Sequence, residues 1–173
     1  NNMSASFLLP DKRAFVQSRA TARCVAGGPI HAQGRGPDSD IYGNGFPGGL
    51  AYGGGFNTLG GVLRVGELLP GTPPIRHALQ VNLDGSKNLY YSTTTSGYRW
   101  PAATEDSCAR DVPSCYGGTN PALRAGSFLT LHPSFNINNL ETEPAKMLAW
   151  TLQNYGAYVA NNTGGPAYDF ITE

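Results

Sequence analysis

The sequence predicts an all-β protein, a β-sandwich of jelly-roll type with one short α-helix in its C-terminal half. Three observations predict it. The 173 residues hold 23 glycines and 13 prolines, which cut the chain into short runs and disfavour a helix bundle. Several of these runs alternate apolar and polar residues with a period of two. Only one stretch carries apolar residues at helical spacing between a capping residue and a terminator. The length suits one domain with one core. Residues 1–14 read as an extended N-terminal arm and residues 15–173 as a single sandwich domain.

In chain order, Asn2 to Pro10 is an extended arm whose Met3, Ala5, Phe7, Leu8 and Leu9 are too apolar to stand free in water. Pro10-Asp11-Lys12 is a turn. In the run Phe15 to Cys24, Val16, Ser18, Ala20, Ala22 and Cys24 form one face and Gln17, Arg19, Thr21 and Arg23 the other, the pattern of a half-buried strand. Gly27 to Asp40 reads as a polar Gly/Pro loop. Val62–Leu69, Ile75–Leu83, Leu89–Thr95, Tyr98–Pro101 and Leu123–His132 are strand candidates. The helix begins at Thr142 as N-cap, with Glu143 and Pro144 in its first turn. Its apolar stripe is Ala145, Leu148, Ala149, Leu152 and Tyr155, and Gly156 ends it. Ala157–Ala160 and Tyr168–Ile171 return as strands.

The densest signal is the tract Gly43 to Gly61, where nine of nineteen residues are glycine and none is charged. Glycine contributes no side chain and costs backbone entropy on ordering, so such a tract implies positive φ or backbone pressed against a neighbour. It has neither the Lys-Ser/Thr of a P-loop nor the acid of a dinucleotide fingerprint. The tract therefore reads as a packing surface, within the sandwich or between subunits, with Tyr52 and Phe56 its contact residues.

Twelve basic residues balance twelve acidic ones, with no basic stripe. That argues against nucleic-acid binding, which rests on phosphate neutralisation, and leaves no net self-repulsion to oppose self-association. No segment is long and apolar enough for a membrane helix. The chain opens on Asn1-Asn2 without an initiator Met or a signal peptide, which points to processing or truncation. Cys108 and Cys115 bracket a short Pro-containing loop that one disulfide would close; free thiols are the alternative, and zinc lacks further ligands nearby. Cys24 is then the odd cysteine. Asn2-Met3-Ser4 and Asn161-Asn162-Thr163 are glycosylation sequons. Low charge, sequons and a local disulfide together point outside the cell.

Val65-Gly66-Glu67-Leu68, Pro74-Ile75-Arg76-His77-Ala78-Leu79 and Gly97-Tyr98-Arg99-Trp100-Pro101-Ala102 are followed by Tyr116-Gly117-Gly118-Thr119-Asn120-Pro121-Ala122-Leu123-Arg124 and Leu152-Gln153-Asn154-Tyr155-Gly156-Ala157-Tyr158-Val159. Through these runs, in order and over well more than half its length, the chain resembles a family of secreted bacterial proteins. The resemblance implies a jelly-roll-like extracellular domain and says little of activity. Members of that family tend to carry a His-Gly-Gly-Ser-Gly run after Asp-Ile-Tyr-Gly. Here Asp40-Ile41-Tyr42-Gly43 is kept, but Tyr52 and Gly55 stand where the His and Ser would be, so a nucleophile or base of that run is absent. More loosely, the chain is similar to glycosylated subunits of extracellular fibres found in environmental samples, whose sandwich domains stack head to tail.

Three functions are compatible with these features. The favoured one is a structural subunit of an extracellular, glycosylated filament, a homopolymer assembled head to tail. Its contacts would come from the arm (Met3, Phe7, Leu8, Leu9) or the glycine tract, and its glycans from Asn2 and Asn161. The arm either pairs within its own sheet or adds as a strand to a neighbour's edge. The second is a carbohydrate-binding or adhesive module using Tyr98, Trp100 and Tyr116, set against ordinary aromatic packing. The third is a polysaccharide-active enzyme with Glu67 and His77 on otherwise apolar strand faces, set against a buried polar network. No cofactor or metal is expected.

Overall fold

The structure, a computed structural model, describes residues 4–43 and 53–173. Among the described residues the fold is all-β, with two sheets and a single helix of more than one turn in the C-terminal half, as the sequence predicts. The first sheet is an antiparallel meander of β1 (Ala5–Leu8), β2 (Ala14–Arg23) and β3 (Ile30–Asp40), in that order. The second joins β4 (Leu79–Leu83), β5 (Phe128–Leu129), β6 (Ala157–Asn162) and β7 (Asp169–Phe170) in the order β5-β6-β4-β7. A single helical turn, α1 (Gly85–Asn88), follows β4, and the principal helix is α2 (Glu143–Asn154).

The N-terminal arm becomes β1 by pairing with its own β2, Phe7 against Val16 and Leu8 against Phe15. The Pro-Asp turn that joins them forms as expected. Asp11 Oδ1 accepts from the backbone N–H groups of Arg13 at 2.9 Å and Ala14 at 3.1 Å, and these bonds hold its carboxyl below the usual carboxylate range.

β2 departs from simple alternation. Phe15, Val16, Gln17 and Ser18 are all buried, whereas Arg19, Ala22 and Arg23 are exposed. The strand is divided along its length, not across its faces, because β1 pairs only with residues 15–18. Ala20 marks the division with a left-handed backbone, φ 48°.

The expected loop Gly27–Asp40 is in fact largely strand β3, paired with β2 from Arg23↔Ile30 to Ala14↔Asp40. Its Gly and Pro are accommodated because β3 is an edge. The register shifts between Val16↔Asp38 and Ser18↔Arg35, which places Gly36 and Pro37 in a bulge where proline's missing N–H is harmless.

In the second sheet, β4 is buried at all five positions, as befits a strand covered on both faces. Leu79, Val81, Leu83, Ala157 and Val159 pack with Leu89 and Tyr116 and with Leu148 and Leu152 of α2. A second cluster joins Ala160, Phe56, Val62, Ala102, Ala125 and Ile171. Burial of the Leu, Val, Ile and Phe side chains among these contributes about 1.5–3 kcal/mol each relative to exposure. β4 and β6 run parallel, a pairing that needs the long crossover supplied here by residues 84–156.

The helix follows its signals closely. Thr142 Oγ1 accepts from Ala145 N at 3.3 Å, Pro144 lies in the first turn, and Gly156 closes the end at φ +67°. Other strand candidates shorten. Val62–Leu69 keeps only a bridge at Leu63 before turning at Gly66 (φ +92°), and Ile75–Leu83 reduces to Leu79–Leu83. Leu89–Thr95 is not a strand, Tyr98 makes an isolated bridge to Ala125, and Leu123–His132 keeps two residues.

Candidate functional site

Glu67 and His77 do meet, but not on strands: both sit in irregular segments beside the turn at Gly66. His77 Nε2 lies 3.1 Å from Glu67 Oε1, and Arg64 N donates to Glu67 Oε2 at 2.8 Å. His77 Nδ1 is 3.0 Å from the Ala78 carbonyl oxygen. Burial pushes the Glu67 carboxyl up, yet the Arg64 N–H and His77 outweigh it and hold the group below its usual range. A general acid for glycoside cleavage needs the opposite shift. Asp38 and Asp40 are bound to Arg35 and Arg13 in the first sheet. The geometry is that of a brace across a loop.

Asp106 is a carboxylate with no mark in its sequence surroundings. Its Oδ2 accepts from Tyr116 Oη at 2.9 Å and from Asn162 N at 3.1 Å, and burial raises its pKa. Burial first, and the Asp106 charge second, push the Tyr116 hydroxyl far above its ordinary value. The Cys108–Cys115 disulfide closes this loop, and Asn162 Nδ2 reaches Cys115 Sγ at 3.2 Å. Tyr116 is 0 % exposed, so as a sugar-stacking residue it is corrected: its ring is core and its hydroxyl is committed. Tyr98 is half-buried against the second cluster, whereas the Trp100 ring is 79 % exposed.

Of the expected assembly residues, Phe7 and Leu9 are half-buried, Leu8 is exposed and Phe56 is buried in the core. Met3, Tyr52 and the sequon residue Asn2 lie outside the described residues. Asn161 is half-buried, with its Oδ1 accepting from Gly53 N at 2.9 Å, and Thr163 Oγ1 faces the Leu83, Gly165 and Ala167 carbonyls.

The described part of the glycine tract is pressed onto the protein's own body. Gly54 N donates to Ala160 O at 2.9 Å, and a Cβ on Gly54 would stand 2.6 Å from that oxygen. Thr58 N donates to the buried Gln17 Oε1 at 2.9 Å, and Ser6 Oγ meets Thr58 Oγ1. Gln80 N donates to Gly61 O at 2.7 Å, while Gln80 Nε2 reaches the Asn57 and Gly60 carbonyls. Residues 53–61 thus bridge the two sheets.

With β1 paired to β2 and residues 53–61 engaged internally, the outer half of the β2–β3 hairpin stands as an open surface. From Arg19 to Gly34 it is a two-stranded ribbon that runs beyond the end of β1. Val25 is 64 % and Ile30 44 % exposed, and the free thiol of Cys24 is exposed beside them. Gly36, Pro37, Asp38 and Asp40 protect the inner half of the β3 edge, whereas Ile30-His31-Ala32-Gln33-Gly34 carries neither proline nor a carboxylate or ammonium. Sequence reading missed the ribbon because its Gly/Pro content resembled a loop.

No protein-family model, curated protein or solved structure matches the chain. Among the described residues, no helix is long and apolar enough to cross a membrane.

Proposed function

We propose that this chain is a structural subunit of an extracellular, glycosylated filament, and that the β2–β3 ribbon joins one subunit to the next. The observation that carries this reading is the ribbon itself. A two-stranded hairpin with no third strand and no core beneath it is at best marginally stable in water. Here its backbone edges and its apolar Val25 and Ile30 stand open. Completion by another chain supplies both missing strands and apolar cover. The disulfide and the two sequons support an extracellular setting. Relative to β1 and residues 53–61, the ribbon is the better joining element because β1 already pairs with β2 and residues 53–61 bond to the subunit's own sheets.

Arg19 and Gly34 are directly paired, so an Asn-Gly turn in place of residues 20–33 closes a shortened hairpin without disturbing β1. Sedimentation velocity on this variant is expected to show monomers where the wild-type chain shows polymers. Polymers of unchanged size would refute the reading.

A second reading, a carbohydrate-binding module, is favoured by the 79 % exposed Trp100 ring. It requires glycan-array binding that Trp100→Ala abolishes.

A further inference from the structure

Resting on the assembly reading above, we infer that the ribbon tip of one copy seats in the apolar groove around Val65 and Leu69 of the next. This groove has a volume of about 220 Å3 and is lined by Leu63, Val65, Leu68 and Leu69, with Arg64 and Glu173 beside them. That is below the roughly 300–1,000 Å3 of small-molecule pockets and on the scale of one or two aliphatic side chains. Val65 is 85 % exposed and Leu69 60 %, so the described residues do not cover this surface. The ribbon tip offers a matching pair, Val25 and Ile30, on a narrow two-stranded blade.

Charge points the same way. Between Arg19 and Gly34 the ribbon carries two arginines and no acid. Residues 4–43 hold five basic and three acidic side chains, while residues 53–173 hold seven basic and nine acidic. The groove lining itself carries one residue of each sign, Arg64 and Glu173, so the negative excess is that of the body as a whole. A positive ribbon therefore meets a negative body when copies stack ribbon to groove, and like meets like when ribbon meets ribbon. Symmetry separates the two contacts as well. Tip and groove are different surfaces, so their contact is heterologous and extends past the dimer, as a filament where the rotation between copies does not close into a ring, whereas a ribbon-to-ribbon contact is two-fold and stops at a dimer.

Cys24, the one cysteine outside the disulfide, stands at the tip and reports the contact directly. The test is mild oxidation of assembled full-length Leu69→Cys protein, read on a non-reducing gel beside wild type and beside Val65→Cys, which guards against misfolding of either variant. The groove contact predicts a ladder of disulfide-linked chains extending past the dimer in the variants and absent from wild type. It also predicts that Val65→Glu raises the concentration needed for assembly at least roughly tenfold. Filaments that form normally but give only Cys24–Cys24 dimers, or no ladder, would overturn the groove and leave the filament reading standing. Wild-type protein that forms no filaments at all would overturn both.

Discussion

Ser18 and Thr21 meet hydroxyl to hydroxyl at 2.6 Å, although residues three apart on a regular strand point to opposite faces. Ala20, between them, adopts φ 48° and turns the strand so that the two side chains converge. The kink falls where β2 stops pairing with β1 and continues as a ribbon with β3 alone. It is thus the junction between the packed meander and its projecting part. Beside it, the Arg19 side chain lies over Gly34, with a Cβ on that glycine 3.1 Å from Arg19 Nε.

A left-handed backbone costs an L-residue other than glycine about 1 kcal/mol, and a β-branched residue more. Ala20→Gly is expected to stabilise the fold by about 0.5 kcal/mol, and Ala20→Val to destabilise it by about 1–2 kcal/mol. Urea unfolding midpoints at constant slope check both. A neutral Ala20→Val would show that the strand runs straight.

Glu67 titrates below its ordinary value of 4.5 in the folded chain. A depressed carboxyl adds stability that is fully present above pH 4.5 and is lost as pH falls through the lower, folded-state value. Glu67→Gln removes that pH-dependent part. Thermal melts should therefore show the wild-type advantage over this variant shrinking as the solution is acidified below 4.5.

Asp106 has the opposite sign. Its raised pKa means that its contribution is greatest below the ordinary value of 3.8 and is lost as pH rises through the folded-state value. Asp106→Asn keeps an acceptor for Tyr116 and Asn162 without the buried charge, and is expected to match or exceed wild type at neutral pH. Asp106→Ala leaves both donors unpaired and should cost about 1–3 kcal/mol. Equal stability of the two variants in calorimetry would contradict the bonding described.

Gly156 is constrained twice. Its φ is +67°, and a Cβ there would lie 2.7 Å from Leu129 O. Gly156→Ala is expected to destabilise by about 1–2 kcal/mol, more than the strain of a left-handed alanine alone. Gly164→Ala, at φ +70° with nothing near its Cβ, measures that strain by itself.

Local chemistry was legible where local chemistry decides. Thr142, Pro144 and Gly156 bounded the helix, Pro10-Asp11 the first turn, and the Cys108–Cys115 spacing a bridge that forms. β3 was not legible, because Gly34, Gly36 and Pro37 weaken strand propensity and only the pairing with β2 overrides them. The parallel β4–β6 pair rests on contacts far apart in sequence, with no local mark. Glu67 and His77 were correctly brought together, but by a turn at Gly66 and not by a shared strand face. Asp106 and Tyr116 became partners only through the disulfide-closed loop, so exposure could not be read from residue type.

Negative-stain microscopy of the wild-type chain beside the variant with residues 20–33 replaced by Asn-Gly tests most directly whether the ribbon builds a filament. Extended polymers of the first and isolated particles of the second are predicted. Isolated particles in both samples, or the same polymers in both, would contradict it.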